Sequence, residues 1–457
     1  MGSASLIKNF DELIHARRGK LAALRRSSLR AVELGIRSVM PESSMRKLRI
    51  HGQILKLGSL RVDLKNFEEI LVLGAGKAVM GMASYLEKKF FDKISRGFIV
   101  VPEGIHESHG LRKIEVAPST HPIPSELGLN AAEKMIEYSE SVTEKTLVIF
   151  LLSGGASALL PLPAPQITLE DKINATKLLL ESGATIDEVN AVRKHLSRIK
   201  GGWLGKKLSK ARVISLILSD VVGDKIETIG SGPTAPDPTT FEDAYAVLMK
   251  YGIWEKMPES VRRRISLGLE GSIEETPKPG DPAFRKITNI VIASIGDSCR
   301  AAAKYLRARK FRCVILSRFM EGEASQIGIF LAGVLRELLE KSGKYAVICG
   351  GESTVTIRGS GIGGRNQELA LAASIKMKDL KNCCLVSVGT DGIDGVSDAA
   401  GAIVDPETYS DAARMGLNPA EFLRENDSGT FFKKVGGAVY TGLTGTNVGD
   451  LIVLAKG

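Results

Sequence analysis

The stretch Ile70-Leu71-Val72-Leu73-Gly74-Ala75-Gly76-Lys77 decides the reading of this chain. Four β-branched or apolar residues predict a buried strand, a glycine pair follows, and a helical segment opens at Ala78. In such a strand–turn–helix, backbone NH groups and the helix N-terminus can receive an anion, and Lys77 adds a mobile positive charge. A tight turn with a solvated lysine stays open as the plainer reading. The loop is neither a Walker A loop nor a protein-kinase glycine loop. A dinucleotide fingerprint is a closer rival, but its third small residue falls at Val79, which crowds helix against sheet.

The same rhythm recurs outward from this loop. Apolar runs at 97–101, 147–152, 213–218, 290–295, 345–348 and 384–388 each lead into Gly, Ser, Asp or Pro and then, for the most part, into a helical pattern. That alternation predicts an α/β chain with mostly parallel sheet, its ligand site built from loops at the carboxyl ends of the strands. At 457 residues the chain is too long for one ordinary core. The polar, proline-rich text at 271–287 is read as a linker, placing a large Rossmann-like α/β domain at 1–270 and a second at 288–457.

Composition narrows the classes. The net charge of +10 suits nucleic acid, an anionic surface or small anions, but the basic residues are scattered and not interleaved with aromatics, so no nucleic acid is expected. The densest basic run, from Arg17 to Arg30, is read as a solvated helix face. Five cysteines form no CxxC pair, which argues against a zinc cluster or a disulfide framework. No apolar run reaches the roughly 20 residues of a membrane span, and the N-terminus lacks a secretory pattern, so the expected location is cytoplasmic. His106 and His109 are one residue short of a zincin motif.

Several loops are candidate sites. Ser153-Gly154-Gly155-Ala156-Ser157 offers hydroxyls and amides for a carboxylate or phosphate. Asp220, just past a buried strand, can accept the proton of a hydroxyl or serve a cation; an Asx turn or a cap is the plainer reading. Gly364-Arg365-Asn366, after two further glycines, lets a guanidinium grip phosphate oxygens. Asp391 and Asp394 follow another strand in a calcium-loop-like text whose ligand spacing is wrong for calcium; magnesium bridging nucleotide phosphates is the alternative to loop capping. His195 shares a helix with Asn190 and Arg193, more in keeping with a polar helix face than with catalysis.

Taken in order, Gly-Ala-Gly-Lys at 74–77, Thr120-His121-Pro122-Ile123-Pro124, the 153–157 loop, Val192-Arg193-Lys194-His195, Leu218-Ser219-Asp220, Gly230-Ser231-Gly232-Pro233-Thr234, Gly350-Gly351-Glu352, Gly364-Arg365-Asn366-Gln367-Glu368 and Gly389-Thr390-Asp391-Gly392 resemble the glycerate 2-kinases of the MOFRL type. The resemblance runs from about residue 10 to the C-terminus. It implies an N-terminal Rossmann-like domain, a C-terminal MOFRL domain, and an active site in the cleft between them for ATP, magnesium and D-glycerate, yielding 2-phosphoglycerate. It also implies catalytic roles for Lys77, Asp220 and Arg365. Gly74, Gly76, Ser153, Gly154, Gly155, Ser157, Asn190, Arg193, Gly364, Asn366 and Glu352 become expected binders of substrate or nucleotide, and Asp391 and Asp394 the expected magnesium ligands. A homodimer is the assembly expected. An NAD(P)-dependent hydroxypyruvate reductase, a label that family members have also carried, stays as the rival, with a non-catalytic nucleotide- or RNA-binding protein behind it.

Overall fold

In the computed structural model, residues 5–104 and 110–457 are described. His106 and His109 lie outside them. The chain divides into two compact units, one of residues 45–219 and 224–292, the other of 1–44, 220–223 and 293–457.

The first unit carries a six-stranded sheet in the order Ile114–Ser119, Arg96–Pro102, Glu69–Ala75, Thr146–Leu152, Arg212–Leu218, Ile287–Ala293. The first five strands pair in parallel. Leu71, Val72, Leu73 and the whole of Thr146–Leu152 are buried, as continuous apolar strands must be when helices cover both sheet faces. Each such Leu, Val or Phe side chain contributes on the order of 1.5–3 kcal/mol. The helix Val79–Phe90 turns Val79, Met82, Ala83 and Leu86 inward. Thr168, Thr185 and Thr240 each start a helix through a reciprocal capping box, which fixes the entry points of Leu169–Glu181, Ile186–His195 and Phe241–Lys250. These helices share an apolar cluster that includes Leu179, Val189, Val192 and Phe241.

The second unit holds a mixed sheet in the order Arg312–Glu323, Tyr345–Thr354, Asp450–Lys456, Cys383–Gly389, Gly401–Val404, Ala438–Val439. Its middle strand, Asp450–Lys456, runs antiparallel to both neighbours, so this sheet is less parallel than the strand–loop–helix rhythm suggests.

Two boundaries differ from the sequence-based reading. The units part near residue 292, not within 271–287, because that segment stays with the first sheet: Asp237 N donates to Pro277 O, and Pro282–Phe284 leads directly into the edge strand. Residues 1–44 belong with the C-terminal unit. The helix Gly19–Val39 lays Leu29, Val32 and Ile36 inward, and a Cβ at Gly35 would come within 2.6 Å of Leu451, so only glycine permits that approach. The basic run on this helix is correspondingly less solvated than expected. Arg25 is buried with Nε 2.6 Å from Asp405, while Arg30 and Arg37 clasp the buried Glu33.

Candidate functional site

At the carboxyl end of the strand Glu69–Ala75, the 74–77 loop is built by close packing. A Cβ at Gly74 would lie 2.5 Å from Leu151 O, and one at Gly76, where φ is +142°, would lie 2.2 Å from Ser153 Oγ. Both glycines are there so that neighbouring loops can touch. The loop amides are also spoken for: Gly76 N donates to Val100 O at 3.1 Å, Lys77 N to Gly154 O at 2.9 Å, and Ala78 N to Ser153 Oγ at 3.0 Å. This corrects the expectation that Gly74 and Gly76 cradle an anion through backbone NH groups, and it commits one lone pair of the Ser153 oxygen. That oxygen satisfies a donor at the start of the Val79–Phe90 helix.

What remains available is the Lys77 side chain and the next loop. Lys77 is half-buried, and among the described residues its ammonium has no acceptor. Beside it, Gly154, Gly155, Ala156 and Ser157 offer four successive amides that, among the described residues, have no protein acceptor either, with Gly155 left-handed at φ +87°. The backbone that remains open to an anion is thus 154–157. A Cβ at Gly155 would stand 3.2 Å from Lys77 Cγ and 3.1 Å from the ring of His121, so these three residues converge. The His121 imidazole is exposed at the rim, and its pKa is pushed down to about 4 by partial burial first and by the Lys77 charge second.

A hydroxyl chain leads away from this loop. Ser157 Oγ lies 2.8 Å from Ser231 Oγ, and Ser231 Oγ donates to Asn190 Oδ1 at 2.9 Å. Ser231 is left-handed at φ +61° between Gly230 and Gly232 at +59° and +62°. A non-glycine residue there costs about 1–2 kcal/mol, offset by the hydrogen bonds that hold its side chain. Arg193 stands three residues beyond Asn190 on the same helix, and burial lowers its pKa to about 10. His195 is fully enclosed, with Nδ1 2.6 Å from Ala191 O and Nε2 2.8 Å from Glu275, which makes it a structural residue.

In the other unit, the helix Arg365–Met377 begins four residues earlier than its apolar pattern, so Arg365 and Asn366 occupy its first turn, after Gly364 as N-cap. A Cβ at Gly364 would lie 2.3 Å from the Asp394 backbone, again a packing glycine. Arg365 is not a free cation. Its Nε reaches Asp450 Oδ1 and Oδ2 at 3.0 and 2.8 Å, and its NH1 donates to Glu352 at 2.9 Å. Burial works against the charge, yet Asp450 and Glu352 hold the guanidinium more firmly protonated than a free arginine. Asn366 is also committed: Nδ2 donates to Asp394 and Asp450, and Oδ1 accepts from Ser387. Sequence reasoning missed Asp450, although a lone aspartate opening the apolar run 451–455 was a usable signal.

Asp394 does not fit the magnesium role expected of it. Its Oδ1 accepts from Asn366 N and its Oδ2 from Gln367 N, at 3.0 and 2.7 Å, so it caps the Arg365–Met377 helix. Burial pushes its pKa up to about 7 against the pull of those amides. Asp391 Oδ1 accepts from Ile393 N, a turn contact. Among the described residues no three His, Cys, Asp or Glu side chains gather as a metal site. Asp220 is half-buried, groups with this unit, and lies near enough to Glu352 to help raise its pKa, after burial and alongside Asp450, while Arg365 opposes the shift.

Residues 28–266 match the domain of unknown function DUF4147, and residues 345–450 match the MOFRL family. The chain is 43% identical over 400 residues to the glycerate 2-kinase of Pyrococcus horikoshii, an alignment that covers 86% of this chain and 89% of that protein. It is 39% identical over 393 residues to a putative hydroxypyruvate reductase of Agrobacterium vitis, covering 85% and 87% of the two. A crystal structure of glycerate kinase from Thermotoga maritima superposes with a TM-score of 0.83 at 36% identity, covering 95% of this chain and all of that one.

Proposed function

We propose, from the premise that this chain belongs to the MOFRL-type glycerate kinase family, that it transfers the γ-phosphoryl group of ATP to the C2 hydroxyl of D-glycerate. The observation that carries this reading is the ammonium of Lys77 beside the amides of 154–157, all without a protein acceptor among the described residues, at the carboxyl end of a parallel sheet. Phosphoryl transfer asks for positioned positive charge and oriented NH donors where charge develops on the phosphoryl oxygens, and this loop pair supplies both. In the reaction the C2 oxygen bonds to γ-phosphorus, the bond to the β-phosphate bridging oxygen breaks, ADP leaves, and the hydroxyl proton passes to a base. Asp220 is proposed as that base. Arg365, oriented by Asp450 and Glu352, is proposed as a second cation through its remaining guanidinium edge. Magnesium is proposed to arrive as the cation of the ATP complex, since Asp394 is spent on its helix cap.

The reductase reading draws on the name of the Agrobacterium relative. A dinucleotide would need the 76–78 amides for its pyrophosphate, and those amides already have protein acceptors, which speaks against it. The test pairs two assays: ADP release with D-glycerate and magnesium–ATP, and NAD(P)H oxidation with hydroxypyruvate. Glycerate-dependent ADP release is expected, and phosphorus NMR of the product should show the ester on C2. NAD(P)H oxidation without ADP release would overturn the reading.

A further inference from the structure

Beside the 154–157 loop lies a cavity of about 300 Å³ whose lining includes Ser157, Lys172, Arg193 and Lys200. Lys172 and Lys200 are 5% and 1% exposed. Lys172 Nζ is bonded to Pro161 O and Leu162 O, and Lys200 Nζ to Ser157 O and Leu160 O, so both ammonium groups are held in place by carbonyls. Among the described residues none of the three cations is paired with a carboxylate. The one carboxylate that lines the cavity, Glu181, is exposed and paired with Lys177. Pro122, Ile123 and Ile173 add apolar lining, while the two lysine side chains themselves are buried away from screening water. Three enclosed positive charges without a counter-ion are costly, and burial together with mutual repulsion draws both lysines well below their usual pKa. An anion in the cavity would relieve that cost.

We propose that this cavity binds the carboxylate of the hydroxy-acid acceptor, with Arg193 as its direct partner and Lys172 and Lys200 as the fixed positive charges behind it. The proposal rests on the kinase reading above. In a 2-hydroxy acid the carboxylate is bonded to the carbon that bears the accepting hydroxyl, so the carboxylate receptor must adjoin the phosphoryl receptor. Ser157 meets that requirement, because it lines the cavity and also ends the run of open amides. Arg193 is the member of the trio with no protein acceptor among the described residues, which leaves its donor fork for a planar carboxylate.

The wild-type enzyme is first assayed for glycerate-dependent ADP release, which tests the kinase reading alone. Arg193→Gln is then expected to raise KM for D-glycerate about 10- to 100-fold, with KM for magnesium–ATP nearly unchanged and part of the loss recovered in Arg193→Lys. With glyceramide, whose amide carries no charge, wild type and Arg193→Gln should perform alike. An active wild type with an unchanged glycerate KM in the variant, a rise in the ATP KM instead, or an equal loss on glyceramide would each overturn the proposal. Should the wild type prove inactive, calorimetric titration with D-glycerate decides separately. Binding that Arg193→Gln abolishes supports the site, and binding that it retains, or no binding to wild type, rejects it.

Discussion

Asp450 clamps Arg365: both carboxylate oxygens lie within 3.0 Å of the arginine Nε, across 85 residues of sequence. The same carboxylate accepts from Ser353 N and from Asn366 Nδ2 and is fully buried. Asp450 therefore aims the guanidinium, and its charge is inseparable from the stability of the C-terminal unit.

Asp450→Ala should accordingly destabilise the protein by about 2–4 kcal/mol, because it strands a partly buried guanidinium and two buried donors. Urea unfolding checks this. Asp450→Asn retains shape but not charge, and is expected to lower kcat more than it lowers stability.

Lys77→Ala should behave oppositely. With no protein partner to lose among the described residues, its melting temperature should stay near wild type, while kcat for glycerate-dependent ADP release falls about 100- to 1,000-fold, the usual effect of removing one charge-stabilising donor.

Gly76→Ala places a Cβ 2.2 Å from Ser153 Oγ and 2.6 Å from Ser153 O, at a φ of +142° that side chains avoid. Forcing apart the two loops should cost about 1–3 kcal/mol and depress activity. Gly52→Ala, also left-handed but with open space around its Cβ, serves as the comparison and should cost only the backbone term.

Acid should weaken the fold through Glu275. Burial raises its pKa, but the hydrogen bonds from His195, Phe241 N and Thr276 N outweigh burial and bring it down to about 2. A carboxyl depressed on folding stabilises above its unfolded value near 4.5 and loses that contribution as pH falls from about 4.5 towards 2. Glu275→Gln should therefore cost about 1–2 kcal/mol at pH 7, after allowance for solvent screening. Denaturation series at several pH values should show wild type and variant converging in acid.

Much of the scaffold was legible. Seven apolar runs, at 70–73, 97–101, 147–152, 213–218, 290–295, 345–348 and 384–388, fall on strands, because a strand buried on both faces must be apolar along its whole length; the fifth, on the half-buried edge strand, runs past its strand end at Ala293. The candidate site was legible in outline only. Lys77 and the amide-bearing 153–157 loop are both marked in the sequence, but the amides at 76–78, read as open, are closed by acceptors on distant strands and loops. Lys172 and Lys200 carried no local mark, since a lysine on an amphipathic helix or in a basic turn looks the same whether its ammonium meets water or carbonyls.

By itself, the sequence determined the strand–loop–helix order, the placing of small and polar residues at strand ends, and the presence of Lys77 and Arg365 in glycine-rich loops. These are local properties, set by the period of apolar residues and by where glycine permits a turn. Tertiary structure decided the rest: that the N-terminal helix packs with the C-terminal sheet, that Arg365 is held by Asp450, and that Asp394 caps a helix. Each of those depends on which distant segments become neighbours when apolar surface is buried, and on which polar groups must then find partners inside.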